Sequence, residues 1–279
     1  MKNILVTGGA GYIGSKLITR LLDLKFNVTC VDKLNYGASS LNHLFFYKNF
    51  KFIKSDINNK KEFLKIIKKN PFDFVIPLAA LVGAPLCDKN KKEALKTNLD
   101  SIQYLVGKLK NNQKIIYPTT NSGYGIGQKN KYCDENSPLN PISLYGRTKA
   151  EAEQIVLSHK NSVCFRLATV FGYSYRMRTD LLVNNFVFRA IKEKKLEIFE
   201  GHFRRNFIHI NDVIEGMIFA INNFKNLKSE TYNLGLSSAN ISKIELAKKI
   251  KKFLPTLKII VNNNKKDPDQ RDYFVSNKK

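Results

Sequence analysis

Two side chains in the middle of the chain, Tyr145 and Lys149, could move a proton together. Residues four apart share one face of an α-helix, so a helix here would place the phenol beside the ammonium group. A free tyrosine has a pKa of ~10 and is a poor base at neutral pH, but a nearby cation favours the phenolate. Thr120, at the end of a predicted strand, could hydrogen-bond the same substrate oxygen. The trio predicts acid–base chemistry on a hydroxyl group, although a Tyr-x-x-x-Lys pair alone is common in helices.

The first fourteen residues supply the context that this pair needs. Residues 4–6 form an apolar run typical of a buried strand, a glycine-rich turn follows, and a helical pattern begins at Tyr12. A strand, a tight turn and a helix N-terminus in that order cradle an anion. Gly8 permits the turn, Gly11 lets the backbone approach a pyrophosphate, and Gly14 lets the helix pack on the strand. The spacing predicts a dinucleotide site.

Acidic and small residues at later strand ends narrow the choice of dinucleotide. Asp32 ends a second strand, and its carboxylate could accept hydrogen bonds from both hydroxyls of an adenosine ribose while repelling a 2′-phosphate. This favours NAD over NADP, although Asp32 could also be a simple turn residue. Asp56, after a third strand over residues 50–53, could meet the adenine edge or cap the following helix. Residues 78–80 end a fourth strand and are small enough for a cofactor to lie across them.

The order of these elements predicts the fold. Short apolar strands alternate with helical patterns of ten to fifteen residues, which is typical of an α/β protein with a doubly wound parallel sheet. A chain of 279 residues is long enough for one large domain and a smaller lobe. We expect an NAD-binding Rossmann domain over residues 1–172, with residues 207–222 returning to it. Residues 173–206 and 223–279 would form the substrate-binding lobe.

Composition excludes several classes of protein. The net charge of +24 could indicate a nucleic-acid groove, but the lysines are spread along the chain and are not interleaved with exposed aromatic residues. We therefore expect no nucleic acid, and the charge would help attract an anionic substrate. No apolar run reaches eighteen residues and the first strand leaves no room for a leader, so neither a membrane span nor a signal peptide is expected. The four scattered cysteines indicate reduced thiols in a cytoplasmic protein, without a metal site.

Taken together, these motifs resemble those of an extended short-chain dehydrogenase/reductase of the NAD-dependent epimerase/dehydratase family, whose members mostly act on nucleotide sugars. The resemblance covers nearly the whole chain and implies that Tyr145 is the acid/base, that Thr120 orients the sugar hydroxyl, and that Lys149 holds the nicotinamide ribose. The positive nicotinamide ring would favour the phenolate further. The cofactor-binding residues that it implies are Gly8, Gly11, Tyr12, Ile13, Gly14, Asp32, Lys33, Asp56, Ile57, Leu78, Ala79, Ala80, Asn98, Tyr145 and Lys149. The substrate-binding residues that it implies are Thr120, Asn121, Ser122, Arg178, Arg205 and Arg271.

Arginines beyond the fifth strand are the candidates for the substrate end. Arg205 and Arg271, the latter in a family-like segment over residues 269–273, would pair with the diphosphate of a nucleotide sugar. Arg178 could contact the substrate or could brace a loop by pairing with Asp180. Two other residues near the site are expected to be structural. Cys87 is expected to be a buried thiol, and His209 a packed histidine.

One departure from the family pattern reduces the number of reactions that the site is expected to catalyse. Dehydratases and decarboxylases of the family place an acid two residues after the active-site threonine, whereas here that position is Ser122 and the intervening one is Asn121. A C5–C6 elimination needs a positioned acid, so 4,6-dehydration is disfavoured. The remaining chemistry is that of a C4 epimerase that oxidises its sugar transiently to a 4-keto form.

Three alternatives remain open at this stage: an NAD(P)H-dependent keto-sugar reductase, a nucleotide-sugar 4,6-dehydratase, and a non-enzymatic NAD-sensing or RNA-binding protein. Two further expectations come from the resemblance. Family members often form homodimers through the helices that here include residues 95–109 and 149–157. They also usually run on past the Arg271 segment, whereas this sequence stops at Lys279, so the lobe is expected to be incomplete at its C-terminal end.

Overall fold

The computed structural model describes residues 1–69, 71–127, 131–262 and 271–279. In chain order, the strands of these residues are β1 (Asn3–Thr7), β2 (Asn27–Asp32), β3 (Phe50–Lys54), β4 (Phe74–Pro77), β5 (Lys114–Thr120), β6 (Tyr132–Cys133), β7 (Ser162–Leu167), β8 (Thr169–Phe171), β9 (Lys195–Phe199), β10 (Arg204–His209), β11 (Glu230–Leu234), β12 (Asn240–Ser242), β13 (Lys258–Asn262) and β14 (Phe274–Val275). Their α-helices are α1 (Tyr12–Asp23), α2 (Lys60–Lys69), α3 (Ala84–Lys89), α4 (Lys91–Leu95), α5 (Ser101–Val106), α6 (Leu144–Leu157), α7 (Leu182–Glu193), α8 (Ile210–Asn222), α9 (Phe224–Leu227) and α10 (Lys243–Phe253).

A parallel sheet of seven strands forms the centre of the molecule, in the order β11-β7-β5-β4-β1-β2-β3. The predicted doubly wound parallel sheet is thereby confirmed. The chain runs outward from β1 through β2 to β3, then crosses back and places β4 on the other side of β1. Ligands of open α/β sheets bind at such a reversal, outside the carboxyl ends of the strands. The topology therefore puts the candidate site next to the end of β1.

Helices cover both faces of this sheet. Their apolar residues recur at helical spacing, so each helix packs one apolar side against the sheet. On one face α1 buries Leu17, Ile18 and Leu21, which share a hydrophobic core with Val213 and Met217 of α8. On the other face α2, α5 and α6 form a second core, with contributions from residues 63–67, 102–105 and 152–156. The sheet is thus buried on both sides, as the continuous apolar runs of its strands require.

The helical segment over residues 91–106 has a wider turn in its middle. Its α4 segment passes into a π-helical turn, Lys96–Asp100, and then into α5, which ends at Val106. Turns of this kind often occur at functional sites, because the extra residue redirects a side chain. Here the turn contains Asn98, one of the residues predicted to bind the cofactor.

The smaller lobe begins where the chain leaves the main sheet after β7. Residues 162–171 separate into β7 in the main sheet and β8 in a three-stranded sheet of order β12-β10-β8. The break falls at Ala168, whose backbone N–H donates to the Leu234 carbonyl at 2.9 Å. Helices α7 and α10 pack on the lobe in a separate hydrophobic core.

The predicted lobe boundaries need correction. Residues 230–234 were expected in the lobe, yet β11 is the edge strand of the main sheet, paired with β7 from Glu230 to Leu234. The C-terminal strand β14 also leaves the lobe and pairs in parallel with β6. Both segments carry apolar side chains that face the main domain, among them Val275, which is fully buried. Residues 230–234 and 274–275 therefore also belong to the main domain, in addition to the predicted returning segment over residues 207–222.

None of the helices in the described ranges is both long enough and apolar enough to cross a membrane. The same ranges hold no group of three or more His, Cys, Asp or Glu side chains arranged to bind a metal ion. All four cysteines are buried free thiols.

Candidate active site

A cavity of about 1270 Å³ lies at the carboxyl ends of β1, β2, β4 and β5. Its lining includes the predicted residues Gly8, Gly11, Tyr12, Ile13, Gly14, Asp32, Lys33, Asp56, Ile57, Leu78, Ala79, Ala80, Thr120, Ser122, Tyr145, Lys149, Arg178, Arg205 and Arg271. Two other predicted residues, Asn98 and Asn121, are buried and are not part of the lining. The fold thus brings residues from distant parts of the chain to one site.

The glycine turn after β1 forms a cradle for a dinucleotide. Gly8 has a φ of +70°, and a Cβ atom there would lie 2.5 Å from the backbone nitrogen of Ala79, so only glycine fits. Gly11 is the N-cap of α1, and the N-terminal residues of this helix line the cavity, which suits an anion. A Cβ on Gly14 would lie 2.5 Å from the Gly8 carbonyl oxygen, so Gly14 packs the helix against the turn rather than against the strand. The cradle fits a pyrophosphate.

Asp32 is held rigidly at the end of β2. Its Oδ2 accepts a hydrogen bond from the Ala10 N–H at 3.0 Å, and its Oδ1 accepts one from the Leu34 N–H at 2.7 Å. Each carboxylate oxygen can accept a second hydrogen bond, so the group can still receive ribose hydroxyls. The position of Asp32 in the cavity fits the predicted ribose role.

An ion-pair cluster lies beside Asp32. Lys33 Nζ lies 2.9 Å from Glu93 Oε1 and 3.5 Å from Asp56 Oδ2. Burial alone would lower the pKa of Lys33, but the hydrogen bond to Glu93 and the charge of Asp56 outweigh it, so the pKa is raised. Glu93 was not predicted from the sequence, because it lies in α4, far along the chain from Lys33, and belongs to no recognisable motif. Lys33, Asp56 and Glu93 line the cavity near the end of β2, together with the apolar side chain of Ile57.

Tyr12 joins the two parts of the molecule. Its hydroxyl donates to the Gly172 carbonyl at 2.7 Å and accepts from Asn184 Nδ2 at 3.3 Å, while its own carbonyl accepts from Ser174 Oγ at 2.5 Å. Burial raises the pKa of the phenol. The side chain therefore fastens α1 to the start of the lobe, in addition to lining the cavity.

Helix α6 positions the predicted acid/base pair. Ser143 caps the helix by accepting a hydrogen bond from the Gly146 N–H at 3.1 Å, so Tyr145 and Lys149 lie on its first turns, facing the cavity. Lys149 is 5% exposed, and its Nζ lies 3.9 Å from the centre of the Tyr117 ring. A cation at that distance from an aromatic face is stabilised by it. Tyr145 and Lys149 thus lie one turn apart on α6 and both line the cavity.

The electrostatics of this pair differ from the prediction that Lys149 lowers the pKa of Tyr145. Burial lowers the pKa of Lys149 to about 7, so the lysine is only partly charged at neutral pH. Burial also raises the pKa of Tyr145 to about 12, and the opposing influences come from Arg178, Arg271 and the nearby Thr120 hydroxyl. Arginines that the sequence assigned to substrate binding are therefore also the cations that act on the phenol.

Thr120, Ser122 and Arg271 form a chain of hydrogen bonds beside the phenol. The Thr120 hydroxyl donates to Ser122 Oγ at 2.9 Å and accepts from the Ser122 N–H at 3.1 Å. The Arg271 guanidinium also donates to Ser122 Oγ. The sequence predicted Arg271 at the substrate diphosphate, but the fold places its side chain next to the acid/base group. Asp269 and Gln270 of the same segment lie outside the described residues.

The two residues that do not line the cavity have other surroundings. Asn98 accepts from the Leu81 N–H at 2.8 Å and donates to the Leu81 carbonyl at 2.9 Å, so it fixes the loop after β4 from behind. Cys87 is fully buried beside it, with its pKa raised by burial to about 11. Asn121 is 1% exposed, and neither polar atom of its side chain has a hydrogen-bond partner among the described residues. A direct contact of either asparagine with a ligand stays a prediction.

The segment after β8 closes the opposite side. Arg178 Nε donates to Asp180 Oδ1 at 3.1 Å, which is the loop brace foreseen as an alternative, and both residues line the cavity. Arg176 stacks its guanidinium 4.0 Å from the centre of the Tyr36 ring, joining this segment to the loop after β2. His209 packs edge-on against Phe171 and caps α8.

Buried cations complete the lining. Arg205 is 3% exposed and donates to the carbonyls of Arg204 and Arg271. Lys243 is also 3% exposed and donates to the Phe199 carbonyl. Sequence reasoning missed Lys243, because a lysine at the start of an amphipathic helix is indistinguishable from a solvent-facing one.

This fold and this site define a class of protein, namely an α/β dinucleotide-binding enzyme with a Tyr-x-x-x-Lys pair. The family model for the NAD dependent epimerase/dehydratase family matches residues 4–235. The chain therefore belongs to that family, as its motifs indicated, and its cofactor is NAD.

Individual relatives carry more than one activity. A dTDP-D-glucose 4,6-dehydratase from Dictyostelium discoideum is 31% identical over 273 residues, which cover 90% of this chain, and the chain spans 62% of the length of that relative. The crystal structure of a UDP-glucuronic acid 4-epimerase from Bacillus cereus, in complex with UDP-glucuronic acid and NAD, matches with a TM-score of 0.85 at 27% identity, covering 99% of this chain and 90% of that one. A dTDP-glucose 4,6-dehydratase from Bacillus anthracis in complex with NAD has the same fold, with a TM-score of 0.85 at 24% identity over 99% of this chain and 88% of its own.

Proposed function

We propose that this protein is an NAD-dependent nucleotide-sugar epimerase that inverts C4 through a transient 4-keto sugar. The observation that carries the proposal is the environment of Thr120. Positions 121 and 122 hold Asn and Ser, and Ser122 is bound by the guanidinium of Arg271. A guanidinium stays protonated in proteins and cannot act as a general acid or base. The position at which a dehydratase needs a carboxylate is thus occupied by neutral and cationic groups.

The side chains of the site can carry the proton steps of epimerisation. Thr120 holds the sugar O4, and Tyr145 takes its proton during oxidation and gives it back during reduction. NAD, when bound, supplies the acceptor and donor of the C4 hydride. Lys149 lies one helical turn from Tyr145 and is placed to hold the nicotinamide ribose. Because no net oxidation occurs, one hydride leaves C4 and one returns to it, and Tyr145 ends in its starting protonation state.

Arg178 and Arg271 both act to lower the pKa of the Tyr145 phenol, which is the base in this proposal. In the protein alone burial dominates and keeps its pKa at about 12, while both arginines act to lower it. The positive nicotinamide ring adds a third cation next to the phenol. The apolar lining residues Leu78, Ala79 and Leu167 lower the local dielectric and so strengthen each of these interactions.

The test is a product analysis with a matched pair of variants. Purified protein is incubated with nucleotide-diphosphate sugars without added reductant, and the C4 configuration is followed by NMR. We expect interconversion of the two C4 epimers, and we expect Tyr145→Phe to slow it by roughly 10²–10⁴-fold. Tyr232→Phe, which changes a tyrosine outside the cavity lining, serves as the control. Release of a 4-keto-6-deoxy sugar would instead support the dehydratase alternative, and a demand for added NADPH would support the reductase.

Two features of the assembly belong to the same proposal. We expect a homodimer formed through α5 and α6, which share one hydrophobic core and lie side by side on the surface. The mass measured by light scattering in solution checks this. We place the enzyme in the cytoplasm, because its four buried free thiols suit a reducing compartment.

A further inference from the structure

Lys33 is a cation at the end of the cavity where the adenosine ribose of the cofactor is proposed to lie. It follows Asp32 directly in the chain, and both residues line the cavity. Consecutive Cα atoms are about 3.8 Å apart, and the ammonium of a lysine is carried on a flexible four-carbon stem. An unpaired Lys33 ammonium would therefore be within reach of a phosphate on a ribose bound by Asp32. Such a cation is what a dinucleotide site needs to accept the 2′-phosphate of NADP.

In this protein the Lys33 ammonium is held by two carboxylates. Its Nζ lies 2.9 Å from Glu93 Oε1 and 3.5 Å from Asp56 Oδ2. Burial opposes the charged form, yet the hydrogen bond to Glu93 and the charge of Asp56 raise the pKa of Lys33. The ammonium is thus charged but already paired, and Glu93 is its nearer partner.

Glu93 is itself fixed by neighbouring side chains. Its Oε1 accepts hydrogen bonds from Asn58 Nδ2 and from Thr97 Oγ1, each at 3.3 Å. Asn58 also donates to the Thr97 hydroxyl at 2.8 Å, and Thr97 is buried in the π-helical turn that follows α4. An exposed ion pair is weakened by the entropy of ordering two long side chains. These extra hydrogen bonds fix the position of the Glu93 carboxylate, so it can retain Lys33.

The same residues give this end of the cavity a negative charge. Asp32, Asp56 and Glu93 contribute three carboxylates there, and Lys33 contributes one ammonium. This local excess is opposite in sign to the net charge of +24 of the whole chain. A 2′-hydroxyl can donate a hydrogen bond to a carboxylate, whereas a 2′-phosphate is repelled by it. The excess therefore favours NAD over NADP for as long as Lys33 stays paired.

We infer that Glu93 is a positioning residue that sets the choice of dinucleotide, because it keeps the Lys33 ammonium in an ion pair and so withholds it from the 2′-phosphate of NADP. Asp32 makes the direct contact with the ribose in this account, and Glu93 acts through Lys33. The inference concerns the cofactor end of the cavity alone. Failure of the epimerase proposal would therefore leave it intact.

Calorimetric titration of the full-length protein with NAD and with NADP tests the inference without any need for turnover. Glu93→Gln removes the charge that holds Lys33, while its amide oxygen can still accept from Asn58 and Thr97. We expect this variant to bind NADP at least about tenfold more tightly than the unmodified protein does, because the phosphate gains a charge-assisted contact and meets one carboxylate fewer. Affinity for NAD should change by less than about threefold.

A second substitution shows whether Lys33 is the group that Glu93 controls. Lys33→Gln in the Glu93→Gln background removes the released cation, so the gain in NADP affinity should disappear. Glu193→Gln is the matched control, since it breaks an exposed ion pair with Arg189 outside the cavity lining. It should leave both affinities unchanged.

Three results would overturn the inference. The first is an NADP affinity that Glu93→Gln does not raise. The second is a gain that persists in the double variant, because the lost carboxylate alone would then explain it. The third is an equal gain in Glu193→Gln, which would indicate a general effect of charge. If Glu93→Gln fails to fold, Glu93→Ala is measured instead with the same expected gain, because alanine suits a half-exposed position on a helix.

Discussion

The two ends of the cavity are built in different ways. At the cofactor end the glycine turn and Asp32 are joined by backbone contacts within the first 34 residues, although Lys33 also pairs with the more distant Glu93. At the sugar end the contacts join residues far apart in the chain: Thr120, Tyr145 and Arg271. The cofactor end is therefore determined by local motifs, whereas the sugar end depends on how the lobe and the C-terminal strand return to the main domain. We expect the cofactor end to define the family and the sugar end to define the reaction.

The largest effect is expected at the cradle. Gly8→Ala would place a Cβ atom 2.5 Å from the Ala79 nitrogen at a φ of +70°, so the turn cannot keep its shape. We expect NAD affinity to fall by at least about 100-fold, equivalent to about 3 kcal/mol, as measured by calorimetry. Gly37→Ala is the matched control, since Gly37 also has a positive φ but no atom lies within 4 Å of its Cβ position. Equal losses in both variants would show that backbone strain alone, and not the close approach, sets the effect.

Substitution of Lys149 is expected to change stability and activity in opposite directions. Burial lowers its pKa from the ordinary 10.5 to about 7, so between those pH values the unfolded chain binds a proton that the folded chain does not. Stability therefore rises with pH across this window, and below pH 7 the folded protein carries the full cost of a buried cation. Lys149→Met should stabilise the protein at pH 7 by about 2–4 kcal/mol while abolishing turnover.

Chemical denaturation at pH 7 and at pH 10 measures this effect, and the gain from Lys149→Met should shrink at the higher pH. Lys192→Met, at an exposed position on α7, is the control. A variant that loses both stability and activity would show that the lysine is charged and well paired in the fold, against the expected direction.

The ribose position should give a smaller change. Asp32→Ser removes a carboxylate that holds the Ala10 and Leu34 N–H groups and that we propose binds the ribose. Hydrogen bonds to a charged group contribute about 1.5–3 kcal/mol, so NAD affinity should fall by roughly 10–100-fold while NADP is repelled less. Titration with both dinucleotides measures the ratio. An unchanged preference for NAD would mean that other residues select it.

Asn98 is expected to show the smallest effect on ligand binding. Its side chain supports the Leu81 backbone and does not line the cavity. Asn98→Ala should cost about 1–3 kcal/mol of stability, because the Leu81 N–H and carbonyl lose their partner, yet NAD affinity should change less than about fivefold. A large loss of NAD affinity in a variant of normal stability would establish the direct contact that the sequence predicted.

Features formed by residues close together in the sequence could be predicted, whereas features that depend on distant residues could not. The glycine turn, Asp32 and the spacing of Tyr145 and Lys149 are readable because neighbouring residues alone produce their geometry. The edge strand β11 was not found, since its pairing with β7 is set by tertiary packing and its residues were assigned to the lobe. The position of Arg271 could not be read either, because it depends on a hydrogen bond with Ser122, 149 residues away. The pKa of Lys149 was missed because burial is a property of the folded protein.

The fate of the hydrogen on C4 tests the central proposal most directly. A nucleotide sugar labelled with deuterium at C4 is converted without added cofactor, and the product is examined by NMR and mass spectrometry. If C4 is oxidised and reduced again within one site, the deuterium stays on C4 of the inverted sugar and the mass is unchanged. Deuterium found on C6 of a dehydrated product, or lost from the sugar altogether, would contradict C4 epimerisation by this protein.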